Sequence, residues 1–484
     1  MGSQLLIAGV QSGAGKTTLT LGIMAALKRR GLTIQPFKVG PDYIDPGLHY
    51  HAAGTRSHNL DSWMGSEQVV KDLYAKHTQQ ADVAIIEGVM GLFDGAKHER
   101  LLGSSAHIAM ILDIPVVLVV NVKGMGRSCL ALIKGFSEYE PQLRIKGVIL
   151  NNAGSDYYKS FIKKEIEQEL GVKVIGCLSK NDDIRMPERH LGLLPAEENQ
   201  ELAAAISKMA DMVEAEINLD ELLAVGRQAQ HNQNYNHKEY ETIRSTDGIE
   251  AKKLEKVKIG VAKDEAFSFY YQDSLDFLEE LGAELHYFSP LRDAKLPDVD
   301  GLYIGGGFPE MFLEQLADNR SMVDSIKLMA DSGIPIFAEC GGYMYLAESI
   351  RDREGRSWNG VGIVPIQIEM TKRLVALGYV QATALQDSLI AGAGELLRGH
   401  EFHYSKIIPT KRVQAEQGSL DADTGLKAHA AFSLVGGKGA AGRLEGYSKG
   451  NICASYLHLH LRSNPKAVTR LLVACRAYKR GGMK

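Results

Sequence analysis

Residues 5–30 read LLIAGVQSGAGKTTLTLGIMAALKRR, a short apolar run, a glycine-rich loop, and a stretch of helical periodicity in that order. In a P-loop, consecutive backbone N–H groups and the helix N-terminus face the phosphates, the lysine reaches the outer phosphates, and the Ser/Thr hydroxyl holds magnesium. The strict G-x-x-x-x-G-K-[ST] spacing asks for glycine at position 10, where this chain has Val10 with Gly9 one residue early. Strand, G-K-T-T and helix in the correct order still favour a phosphate site over a chance glycine turn. Gly13, Gly15, Lys16, Thr17 and Thr18 are therefore the expected nucleotide-binding residues.

Working outward, short β-branched apolar runs alternate with helical patterns: Leu5 to Val10, Thr33 to Val39, Val83 to Glu87, Pro115 to Val122, Gly147 to Asn151 and Val172 to Leu178. That alternation predicts an α/β fold with a parallel sheet and crossover helices. From Gly226 the chain turns polar without apolar periodicity, GRQAQHNQNYNHKEYETIRSTDGIEAKKLEK, as an exposed linker does. Strand–helix alternation then restarts with VKIGVAKDEA, GLYIGGG and IPIFAEC. Two α/β domains are expected, 1–225 and 255–484, joined by a linker over 226–254; the length of 484 residues accommodates both.

A 45% hydrophobic, 24% charged composition is that of a globular chain. The net charge of -4 gives no global field for nucleic acid or an anionic membrane. Five scattered cysteines (Cys129, Cys177, Cys340, Cys453, Cys475) without a C-x-x-C pair suggest neither a disulfide framework nor a zinc ribbon. The longest apolar stretch, Ile114 to Val122, is far short of the ~18 residues that span a bilayer. A soluble, cytoplasmic protein that binds neither nucleic acid nor membrane is expected.

Three further segments bear on the phosphate site. FKVGPDYIDPGLH (37–49) carries Asp42 and Asp45 after the second strand, where turn formation and metal or substrate positioning are both open readings. EGVMGLFDG (87–95) places Glu87 at the carboxyl end of a buried strand, followed by Asp94. An acid at such a strand end, beside a P-loop strand, is where a magnesium-organising group belongs. His49, His51 and His58 are read as ordinary loop residues, His49 the least securely.

In the second domain, IPIFAECGGYMYLAESI reads as strand, sharp turn and helix with Cys340 at the turn. A thiol there sits at a helix N-terminus, which is expected to lower its pKa, and the next N–H, from Gly341, faces a developing oxyanion. Gly305, Gly306 and Gly307 follow another strand and offer a second oxyanion donor. ASYLHLHL supplies His458 and His460, expected on one strand face, with His458 as base. A metal site begun by these two histidines ranks lower, because no third ligand has suitable spacing.

An ATP site joined to a cysteine–histidine hydrolase implies coupled chemistry, in which ATP activates a carboxylate and glutamine supplies ammonia. The strings FKVGPDYIDPGLH, EGVMGLFDG, PERHLGLLPA (187–196), AFSFYYQDSL (266–275), GGGFPE (305–310), AECGGYM (338–344), GHEFHYS (399–405) and ASYLHLHL (454–461) span both domains. On them the whole chain resembles the cobyrinate a,c-diamide synthase family of glutamine-dependent corrin amidotransferases. The resemblance implies a dethiobiotin-synthetase-like P-loop domain and a class I glutaminase domain. It further implies ATP, Mg2+ and glutamine, and amidation of the c and then the a acetate of a corrin or related tetrapyrrole polycarboxylate. Lys16, Thr17 and Lys38 are then phosphate or magnesium groups, and Asp42, Asp45, Glu87 and Asp94 an acidic set for magnesium and the activated carboxylate, with Thr17, Asp45 and Glu87 as metal ligands. Asn151 stands where dethiobiotin-synthetase-like proteins bind adenine, and Cys340 and His458 are nucleophile and base. Hydrogenobyrinate and nickel-sirohydrochlorin are alternative substrates for the same chemistry, and a homodimer is one expectation for the assembly. Two departures stand out. His460 occupies the position two after the base where many class I glutaminases carry an acid, and Gln11 stands where partition-type ATPases carry a lysine, against a switch or partition ATPase with a non-catalytic second domain.

Overall fold

The computed structural model describes residues 2–96, 100–180, 184, 201–229, 255–409, 429–437 and 442–481. The string 187–196 and most of the expected linker lie outside the described residues. The chain divides into two compact units between His237 and Lys238, within the polar stretch.

The first unit is built on seven parallel strands: β1 (Ser3–Gly9), β2 (Ile34–Val39), β3 (His58–Leu60), β4 (Val83–Gly91), β5 (Val116–Asn121), β6 (Ile145–Ala153) and β7 (Lys173–Ser179), in the order β3-β2-β4-β1-β5-β6-β7. All six expected runs are strands. The seventh, β3, is three residues long and carries His58, so it lacks the apolar run that announces a strand. Every residue of β1 and β2 is buried, as continuous apolar runs covered on both faces should be. One core packs Leu5, Ile7 and Ile85 against helix α1 (Lys16–Arg29) and helix Leu202–Glu216. The other packs Leu6, Ala8 and Ile86 against the helices of the opposite face. The strand order reverses beside β1, and the P-loop opens at its carboxyl end, the crevice where α/β sheets bind ligands.

The second unit holds a six-stranded sheet with a parallel core, β9 (Ala283–Phe288), β8 (Val257–Ala262), β10 (Gly301–Ile304), β11 (Ile336–Glu339) and Ile452–Ser455, closed by an antiparallel edge strand Tyr447–Lys449. A four-stranded and a five-stranded sheet, mostly antiparallel, add to it. The expected α/β domain is present, and these extra sheets, whose alternating apolar pattern was not singled out from sequence, carry GHEFHYS and the strand pair that places His458. Among the described residues no helix is long and apolar enough to cross a membrane.

Candidate functional sites

The phosphate site grows from Gly15, whose φ of 94° is left-handed. A Cβ there would lie 2.2 Å from Asn151 Nδ2, so only glycine lets the loop close against the end of β6. Asn151 donates to Ala14 O at 3.0 Å, and its Oδ1 accepts Asn152 N–H at 2.9 Å. Its amide thus braces the loop with one N–H and one lone pair. Lys16 donates to Met90 O at 2.6 Å and Gln11 O at 3.4 Å; burial and then the nearby Lys38 pull its pKa down. Gly13, with φ of 73°, and Thr18, half-buried in the first turn of α1, stay at the loop.

Glu87 is the hub. Its carboxylate is fully buried and accepts Thr17 Oγ1–H at 2.5 Å and Lys38 Nζ at 3.0 Å, while its second oxygen meets His49 Nε2 at 2.7 Å. Lys38 also pairs closely with Asp45. Burial alone would raise the Glu87 pKa; Lys38, His49 and Thr17 outweigh it and hold the carboxyl well below the usual range. Burial likewise opposes charge on Lys38, but Asp45, Glu87 and Asp42 more than compensate. Burial and then Asp42 push the Asp45 carboxyl up, so Glu87 is the anion that the lysine balances first. Asp45 shares Lys38 with Glu87, so the lysine stands between the two carboxyl groups. Thr17 and Glu87 converge through hard oxygen atoms, a donor pair that suits Mg2+. Asp42 Oδ1 accepts the N–H groups of Ile44 and Asp45 at 2.8 and 2.9 Å, opening helix α2 (Ile44–Ala53), and Asp94 accepts Gly91 N–H at 2.9 Å. Both make turn contacts here, so the acidic set is a core around Glu87 with two flanking turn residues.

Sequence reading missed His49. It lies in α2, not a loop, is fully buried, and bridges Glu87 and Ser57. Its signal was available: Asp45 and His49 stand four apart, one helical face. His58 is also no loop residue but part of β3, stacked on His77 with centroids 3.6 Å apart.

The nucleophile site begins where β11 ends. Cys340 has φ 47° and ψ -103°, a conformation that costs on the order of 1–3 kcal/mol in a non-glycine residue. Cys340 N–H donates to Ser455 O at 2.7 Å and Gly342 N–H to Gly305 O at 2.9 Å, fixing the elbow between neighbouring strands. The thiol is buried, 3.7 Å from Phe402 O. Burial and then Glu310 push its pKa up, against the pull of Gly341 N–H. This reverses the expected lowering: desolvation outweighs the Gly341 N–H at the start of the six-residue helix Gly341–Leu346.

His458 rests on the glycine loop, since a Cβ on Gly306 would lie 2.5 Å from His458 Cε1. Phe269 N–H donates to Gly306 O at 3.0 Å, and the Tyr270 hydroxyl accepts Gly305 N–H at 2.8 Å. Burial, then His400 and His403, depress His458 to about 3; burial depresses His400 and His403 to about 4 each. Burial thus favours the protonated thiol of Cys340 and the neutral imidazole of His458. His460 diverges from His458. The strand ends at Leu459, and His460 turns to Ser463 Oγ at 3.0 Å and Asp273 at 3.8 Å, so the two histidines share no metal-binding face.

Comparison with known proteins matches a family domain in each of the two units. Residues 5–194 match the CobQ/CobB/MinD/ParA nucleotide binding domain and residues 258–466 the CobB/CobQ-like glutamine amidotransferase domain. The chain is 42% identical over 481 residues to a cobyrinate a,c-diamide synthase of Caldanaerobacter subterraneus subsp. tengcongensis, covering 98% of this chain and 99% of the relative. It is 42% identical over 473 residues to that of Listeria innocua serovar 6a and 39% over 479 residues to that of Priestia megaterium, covering 99% and 98% of those relatives.

Proposed function

The chain belongs to the cobyrinate a,c-diamide synthase family, and from that premise we propose that it uses ATP and glutamine to amidate the c and then the a acetate of cobyrinate. The observation that carries this reading is the strained Cys340 elbow with a neutral His458 against Gly306, on a chain that also holds the Lys16–Thr17–Glu87 cluster.

At the first site a substrate carboxylate oxygen attacks the γ-phosphorus of ATP, and ADP leaves. Ammonia attacks the resulting acyl phosphate, phosphate leaves, and the amide remains. Carboxylates need this activation because their oxygen is otherwise a poor leaving group. Lys16 holds phosphate, and Lys38 lies beside Glu87 to stabilise charge that develops there. Thr17 and Glu87 would hold Mg2+, which spreads phosphate charge. Asp45, Asp42 and Asp94 flank the incoming carboxylate, and Asn151 keeps the loop in register for the nucleotide.

At the second site Cys340 Sγ attacks the glutamine amide carbon while its proton passes to His458 and on to the departing ammonia. Water then hydrolyses the thioester to glutamate. Gly341 N–H and the Gly306 and Gly307 part of the glycine loop would face the oxyanion, Gly305 N–H being held by the Tyr270 hydroxyl.

The test is incubation with ATP, Mg2+, glutamine and each candidate tetrapyrrole, followed by mass spectrometry. Two successive acid-to-amide changes on cobyrinate are expected, and Cys340→Ala should lose glutamine-dependent but keep ammonia-dependent turnover. Amides gained only on hydrogenobyrinate or nickel-sirohydrochlorin would overturn the substrate. A folded Cys340→Ala variant that also fails with ammonia would overturn the division of labour.

A further inference from the structure

Glu339, the residue before the nucleophile, is 2% exposed at the end of β11. An acid is expensive to bury, yet this one makes two short hydrogen bonds with neutral donors. Oε1 accepts Leu459 N–H at 2.8 Å, and Oε2 accepts the Tyr303 hydroxyl at 2.6 Å. Each partner adjoins a different part of the nucleophile site. Leu459 follows His458 in the two-residue strand that pairs with Gly399 and His400. Tyr303 lies in β10, two residues before Gly305, stacked on Phe337 at 5.1 Å and edge-on to Tyr270 at 5.1 Å. Tyr270 in turn accepts Gly305 N–H.

One carboxylate therefore joins the nucleophile elbow by covalent continuity, the base by a backbone bond, and the glycine loop through β10. The position two residues after the base is occupied by His460, which turns to Ser463 and Asp273. We propose that Glu339 is a positioning residue for glutamine hydrolysis, holding the His458 peptide and the Gly305–Gly307 strand in register with Cys340 from behind the site. It acts on the backbone that carries His458 and need not touch the imidazole. This rests on the reading of Cys340 and His458 as nucleophile and base.

The expected consequence follows from geometry. In Glu339→Gln the amide oxygen can still accept one donor, but the NH2 group confronts the other, so either the His458 strand or β10 loses its anchor. A misplacement near 1 Å lowers rates by as much as ~100-fold. In the full chain, the kcat of basal glutamine hydrolysis should fall about 10- to 100-fold. The glutamine KM should stay within about twofold, because the loss is confined to the transition state. Ammonia-dependent amidation should be unchanged. Tyr303→Phe keeps the ring stack and removes one of the two bonds, so the same pattern is expected with a smaller fall in kcat. Normal kcat in both variants, or a loss carried wholly by KM, overturns the proposal. If Glu339→Gln shows no cooperative melt, Tyr303→Phe decides alone, and wild-type kcat there overturns it. Absence of glutamine hydrolysis in the wild-type chain overturns the Cys340–His458 reading itself and this inference with it, which separates that failure from a defect confined to Glu339.

Discussion

The two sites solve opposite electrostatic problems. Around Glu87, buried charges are kept by neutralising one another: Lys38 lies between Glu87 and Asp45, and His49 and Thr17 complete the bonds of Glu87. Around Cys340 the groups are kept neutral. The thiol is held protonated, and three imidazoles are depressed to about 3 or 4. Phosphoryl transfer must meet several negative charges at once, so a lysine already held in place by buried carboxyls lowers the barrier. Amide hydrolysis begins with a neutral amide and develops charge only in the transition state, where a dry site with fixed N–H donors acts most strongly.

The strongest way to break this contrast is Glu87→Gln. Removing one partner of a buried ion network leaves uncompensated charge, which costs about 3–5 kcal/mol when no other partner remains; Lys38 keeps Asp45, so the lower end is expected. Amidation should fall at least ~100-fold with glutamine or with ammonia, while basal glutamine hydrolysis stays near wild type. Equal loss of both activities would show that the two electrostatic designs are not separable. A smaller effect is expected from Gly306→Ala. The added methyl, 2.5 Å from His458 Cε1, must move the imidazole, so basal glutamine hydrolysis should drop by about 10- to 100-fold with ammonia-dependent amidation retained. An unaffected rate would mean that His458 does not need the place in which it rests.

These same contrasts explain what sequence alone could reveal. Strand-then-loop patterns pointed to both regions, because Lys16, Thr17, Cys340 and the glycine loop each follow an apolar run at a strand end; Glu87, expected at such an end, lies inside β4, which runs on to Gly91. What stayed hidden depends on contacts distant in sequence. His49 reaches Glu87 across 38 positions, and Glu339 reaches Leu459 across 120; neither pairing has a local signature, although the Asp45–His49 spacing marked one helical face. The direction of the thiol pKa is hidden for the same reason: the elbow and its helix are legible locally, whereas the depth of burial is set by elements such as the strand that brings Phe402 to the sulfur. Asn151 was legible as a residue at a strand end, but its bond to Ala14 needed the fold.

The mildest expected effect is on stability against pH, and it tests the neutral half of the contrast directly. His458, His400 and His403 have folded pKa values near 3, 4 and 4 against 6.5 for a free imidazole. Being depressed, they contribute stability fully above about pH 6.5 that is lost as pH falls toward 4. Glu339 and Glu445 run the other way. Burial lifts Glu339 to about 7, and burial with Glu401 lifts Glu445 to about 8, so their contribution is fully present below about pH 4.5 and is lost as pH rises through 7 and 8. Each group is worth roughly 1.4 kcal/mol per pH unit in its window. Below about pH 6.5 the imidazoles, with His460, and the raised carboxyls, with Asp264 and Glu401, act in opposite directions; above it only the raised carboxyls still change, so stability of the second unit should decline from about pH 6.5 to 8. Denaturant unfolding followed by Trp358 fluorescence, with Trp63→Phe to silence the other of the two tryptophans, reads that unit alone. Glu445→Gln should lessen the decline on the alkaline side by about one group's share. A profile flat from about pH 6.5 to 8 would mean that these side chains titrate as though solvated, and the dry, neutral character assigned to the nucleophile site would fall with it.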